Sequence, residues 1–214
     1  MIASRYSSPP VPTAVGGASA AANGAGVGEG AGEGAGKIGM WIFLATDAMG
    51  FGALLVAYAV LRARADAWPD PIERLSIPLA AAMTLTLLTS SLTVLFALTA
   101  ARQGRGGLAR RWLAATIVGA LAFLAGQAFE YHHLLAGGRP MALTSDLFAS
   151  TFYVVTGFHG LHVIAGVVVL ASVLGRGGPG APPPAAVEVA SLFWHFVDLA
   201  WVAIFTFVYL LPVR

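Results

Sequence analysis

Five stretches of the chain are apolar over the length a bilayer demands, and polar segments separate them. About 20 residues rising 1.5 Å each cross the hydrocarbon layer. The first stretch runs from about Gly39 to Leu61 and the second from about Ile77 to Ala101, with Pro78 tolerated in its first turn. The third spans about Trp112 to Leu134, the fourth about Leu147 to Leu174, and the fifth about Val187 to Leu211, where Pro212 stops it. The joints RARADAWPDPIER, RQGRGGLARR, AGGRPMALTSD and GRGGPGAPPP are rich in Gly, Pro and charge. The pattern predicts an all-α integral membrane bundle of five transmembrane helices, at about 39–61, 77–101, 112–134, 147–174 and 187–211. Upstream, GGASAAANGAGVGEGAGEGAGK offers nothing large to bury. Residues 1–37 are therefore expected to form a flexible Gly/Ala-rich tail ahead of a membrane domain at 38–214. The tail does not read as a secretory signal, because no basic region leads an apolar core.

Composition strengthens this reading. Of 214 residues, 57% are apolar and 10% charged, against about 25% charged in soluble domains, and mean hydropathy is +0.78. The absence of cysteine excludes disulfides, thiolate zinc sites, iron–sulfur clusters and a cysteine-bridged dicopper centre. The net charge of +2 is spread over loops and points to no nucleic-acid partner. Its distribution orients the chain. With the N-terminus cytoplasmic, the inner segments hold Arg5, Lys37, Arg102, Arg105, Arg110, Arg111 and Arg176, and the outer ones Arg62, Arg64, Arg74, Arg139 and Arg214. The expected orientation is N-terminus cytoplasmic, C-terminus periplasmic.

Seven polar residues within the predicted spans call for an explanation: Asp47, Gln127, Glu130, His159, His162, His195 and Asp198. A charge at the bilayer centre costs about 2.5–3.5 kcal/mol on insertion scales, so each of the charged residues needs a partner or a task. Counted from the inner face, His195, Asp47 and Asp198 fall at about 7–12 Å, His162 and His159 at about 18–23 Å, and Gln127 and Glu130 at about 24–28 Å. Two polar layers are expected. The inner one joins the first and fifth spans through Asp47 with His195 or Asp198. The outer one joins the third and fourth through Glu130 and Gln127 with His159.

A metal site is the competing use of such residues. Glu130-x-x-His133 has the i, i+3 spacing of di-iron bundles, but such sites need a second copy and further glutamates. His159 and His162 share one helix and cannot clamp one haem iron between them, and His195 lies at a different depth. In GFHGLHVIAG, Gly157, Gly160 and Gly166 allow close helix approach, and the histidines then cross-link helices by hydrogen bonds of about 0.6–2 kcal/mol. The residues alone leave open a scaffold, a small proton-coupled transporter, and a di-iron or haem membrane enzyme.

Four segments carry a family resemblance. FYVVTGFHGLHVIAG (152–166) resembles the signature of subunit III of haem–copper oxidases, as in cytochrome c oxidase. FWHFVDLAWVAIFTFVYL (193–210) resembles that family's final helix, GQAFEYHHL (126–134) its Gln-x-x-Glu-Tyr segment, and GMWIFLATDAMGFGALLVAY (39–58) its first shared helix. The resemblance covers about residues 38–212. The chain departs in having five spans where many members have seven, and Thr46-Asp47 where many have Ser-Glu.

The resemblance implies an accessory subunit of a terminal oxidase in a bacterial inner membrane. Such a subunit carries no cofactor. It packs on subunit I, which holds the haems and copper, in a complex with subunit II, and it binds phospholipid. It sustains proton uptake and protects the active site during turnover. On this basis no residue is catalytic, the seven polar residues are internal struts, and Asp47 is the candidate for a protonation role. A subunit III-like partner of a nitric oxide reductase is the alternative within the family.

Overall fold

A computed structural model describes residues 18–136, 141–177 and 180–211, with side chains from residue 34 onward. The helices are α1 (Ala18–Arg64), α2 (Pro71–Arg74), α3 (Ile77–Arg102), α4 (Gly106–Ala136), α5 (Leu147–Arg176) and α6 (Pro184–Ile204). A π-helical turn at Phe205–Leu210 completes α6. Five of these elements are long and apolar enough to cross a membrane: Gly34–Arg64, Ile77–Arg102, Gly106–Ala136, Leu147–Arg176 and Pro184–Leu210. The chain is an all-helical multi-pass membrane protein.

Two compact units divide the chain, residues 1–38 and 39–214. In the first, helix is present from Ala18 onward, inside the segment read as a tail. The part of that expectation covering residues 1–17 lies outside the described residues. The second unit is the bundle.

The buried positions of the bundle repeat every seven residues. On α3 they include Ala80, Leu87, Val94 and Ala101, with Met83, Ser90 and Ala97 between. On α4 they are Ala109, Leu113, Thr116, Ala120, Phe123, Gln127, Glu130 and Leu134. On α5, Phe152, His159, Gly166 and Val173 alternate with Ala149, Thr156, Val163 and Leu170. Three-and-four spacing lays one narrow seam along each helix and suits the shallow crossing of membrane bundles. Such seams are faint in the sequence of a membrane protein, because the lipid-facing side of each helix is apolar too and no polar face marks the opposite side.

α6 is the centre. Val187, Ala190, Phe193, Trp194, Val197, Trp201 and Ile204 are all buried, and the helix packs against both α3 and α5. α3 lies closest to α4, and α4 also packs on α5. α1 meets the bundle along one stripe, Leu44, Phe51 and Tyr58, each seven residues from the next. Phe51 reaches across to Phe158 of α5 and Phe196 of α6, at ring-centroid separations of 4.9 and 5.9 Å.

The ends are tied by polar contacts. Gly104 adopts a φ of 69°, a left-handed conformation that costs glycine little, and closes α3. Arg102 pairs with Glu188 at 3.0 Å, joining α3 to the start of α6. At the other end, Arg62 donates to the Leu211 carbonyl at 3.0 Å. Asp146 caps α5 by accepting from the Ala149 N–H at 2.7 Å and pairs with Arg74 from α2.

Candidate functional site

The histidines of α5 point to different places. His159 lies on the buried seam and is fully enclosed. Its ring meets Phe123 of α4 edge-on at 5.5 Å and Trp201 of α6 at 5.1 Å. Neither of its nitrogens has a hydrogen-bond partner among the described residues. His162, one turn on, turns toward α1. Its Nδ1 bonds the Phe158 carbonyl at 2.8 Å, and its Nε2 lies 3.1 Å from Asp47 Oδ2.

A carbonyl only accepts, so His162 Nδ1 carries a hydrogen. The contact of Nε2 with Asp47 is close without being aligned as a hydrogen bond. Asp47 and His162 meet on the face where α1 meets α5.

This corrects the expected inner layer. Asp47 meets His162 and not His195 or Asp198. The depth count assumed helices that start at the bilayer edge and stand upright, whereas α1 and α5 both extend beyond the spans read from hydropathy. His195 instead bonds Ser91 of α3 through Nδ1 at 2.8 Å, and Asp198, one turn further along α6, interacts with the same hydroxyl.

The outer layer is also rearranged. Gln127 joins α4 to α5, but through the Thr156 carbonyl, to which its Nε2 donates at 2.8 Å. Tyr131 completes this knot, its hydroxyl 2.7 Å from Thr156 Oγ1 and 3.0 Å from Gln127 Nε2. Gly160 makes room for it: a Cβ there would fall 2.9 Å from Gln127 Oε1. Glu130 joins α4 to the π-helical turn, accepting from the Tyr209 hydroxyl at 2.8 Å. His159 takes no part in either bond.

Sequence reasoning missed the hydroxyl partners. Trp194 donates to Ser90 Oγ at 3.0 Å and Trp201 to Thr84 Oγ1 at 2.9 Å. The signal was present: α3 carries the run TLTLLTSSLT, and buried indole N–H groups need acceptors.

The candidate metal-ligating residues do not converge. Among the described residues no three His, Cys, Asp or Glu side chains gather as a metal cage. His133 stacks on Phe129, and Glu130 is committed to Tyr209 through one oxygen. An apolar groove of about 370 Å³ runs between α1 and α6, lined by Trp41, Leu44, Ala48, Leu192, Phe196 and Leu199 among others.

Comparison with known proteins agrees with this architecture. The family described as cytochrome c oxidase subunit III matches residues 31–213. The chain is 36% identical to the cytochrome c oxidase subunit 3 of Corynebacterium diphtheriae, over 81% of this chain and 86% of that one. It is 38% identical to the probable cytochrome c oxidase subunit 3 of Mycobacterium tuberculosis (strain ATCC 25618 / H37Rv), with the same coverage. With the cytochrome c oxidase subunit 3 of Synechocystis sp. it shares 38% identity over 81% of this chain and 74% of that one.

Proposed function

The chain belongs to the cytochrome c oxidase subunit III family, and from that premise we propose that it is the accessory subunit III of a bacterial terminal oxidase. It sits in the inner membrane with its N-terminus cytoplasmic and packs on subunit I, beside subunit II. The haems and copper belong to those partners, and oxygen reduction takes place there. The observation that carries this reading is where the intramembrane polar groups go. Gln127, Glu130, His195, Trp194 and Trp201 each bond a neighbouring helix of the same chain. Polar groups so engaged build a rigid scaffold.

Asp47 with His162 differs in being partly exposed, with side-chain exposures of 14% and 15%. A carboxyl beside an imidazole at that place supports the family role of sustaining proton uptake. The groove between α1 and α6, lined by apolar side chains and His195, supports a phospholipid acyl chain.

Deleting this chain from the oxidase, and separately changing Asp47→Ala, tests the proposal. Oxygen consumption should begin normally and then decay faster than in the intact complex, with haem content unchanged. Activity sustained equally long in both preparations contradicts it.

A further inference from the structure

Glu130 is firmly bonded through one of its two oxygens. Oε2 accepts from Tyr209, while Oε1 has no well-aligned hydrogen bond among the described residues, although the residue is only 3% exposed and the Ser76 backbone N–H interacts with the carboxyl. A buried carboxyl oxygen left unsatisfied is costly and calls for a missing partner, usually water. Space for one exists. A cavity of about 140 Å³ is lined by Glu130, His133 and Leu134 of α4, by Ser76 and Leu79 at the start of α3, and by Arg74. At about 30 Å³ per molecule it accommodates several waters. It lies at the end of the bundle where α3 begins and α4 finishes.

We propose that Glu130 is a proton-exchange site, reached by water from that end of the bundle through the cavity beside His133 and Ser76. Tyr209 keeps its hydrogen bond to Oε2 whether the carboxyl is charged or neutral. Oε1 is the atom that takes up the proton, and its O–H then donates to cavity water. Release reverses the step, with the proton leaving on water past His133. The phenol hydroxyls of Tyr209, Tyr131 and Tyr153 are the other titratable groups near the carboxyl. His133 faces it from the cavity, as does Arg74, whose charge is shared with Asp146. Tyr209, the donor to Glu130, lies within the π-helical turn at Phe205–Leu210, and such turns recur at functional sites. This site is separate from the Asp47–His162 pair and does not depend on the oxidase assignment.

Infrared difference spectroscopy of the full-length chain, purified with whatever subunits stay bound, tests the proposal. A pH step should give a carboxyl C=O band that shifts rapidly in D₂O and is lost in Glu130→Gln. That variant keeps a carbonyl for Tyr209, so an unchanged thermal midpoint shows that it is folded. Filling the cavity with Leu79→Phe, or with Leu134→Phe should the first variant not fold, should slow deuterium exchange of the band by roughly tenfold or more, toward rates set by local unfolding. The absence of any Glu130-dependent band overturns the proposal. So does an exchange rate that cavity filling leaves unchanged, which would place the water path elsewhere.

Discussion

At Gly166 the indole of Trp194 occupies the space a methyl group would fill. A Cβ there would fall 2.7 Å from the ring, and the ring is held by its bond to Ser90. Gly166→Ala should therefore destabilise the folded bundle by about 1–3 kcal/mol, read as a lower thermal midpoint in detergent. The Asp47–His162 unit makes a different prediction. Asp47→Asn can donate its amide hydrogen to His162 Nε2 and should leave stability nearly unchanged. His162→Leu strands the carboxyl and should cost about 1–3 kcal/mol in the same assay. Which residues would be polar and buried was legible in the sequence, because charge inside a span is conspicuous. Who meets whom was not. Pairing depends on the rotation of each helix about its axis, and three residues turn His159 into the aromatic seam and His162 toward α1.

Helix ends show the next level of control. Asp146 lies just ahead of the span that begins at Leu147. Burial pushes its carboxyl up, but the Ala149 N–H and the Arg74 guanidinium outweigh that and hold it below the usual carboxylate range. A carboxyl depressed in the folded state contributes stability above its unfolded value, near pH 4, and the contribution is lost as pH falls through the lower folded value. Asp146→Ala should remove that acid-side dependence and cost about 0.5–2 kcal/mol at neutral pH, as loss of a helix cap does. At the same end of the bundle, Tyr209→Phe leaves Glu130 Oε2 without its donor. Amide hydrogen exchange should then accelerate across 205–210 while α3 and α4 stay protected. The five spans were legible from run length and from the Gly, Pro and Arg of the joints. Their limits were less so: α4 starts at Gly106 and takes in Arg110 and Arg111, since a helix continues into water where hydropathy no longer marks it. The π-helical turn had no sequence signal at all, because it differs from an α-turn only in hydrogen-bond register.

Residues 39–214 form a bundle whose interior is polar enough to specify one arrangement and whose outer surface is apolar enough to sit among lipids and other subunits. Leu85 of α3, Val118 of α4, Leu161 and Val168 of α5, and Leu199 of α6 all lie exposed. Membership of the subunit III family gives that surface its meaning, and the resemblance in GFHGLHVIAG and FWHFVDLAWV was readable before any contact was known. The central claim is that this chain supports redox chemistry carried out by its neighbours. It is tested most directly by purifying the tagged full-length chain in mild detergent and recording its partners, metal content and absorption spectrum together. The account predicts that larger subunits bearing haem and copper accompany the chain, and that the metals remain with them when it is stripped away. Haem, copper or iron that stays on this chain after the separation contradicts it.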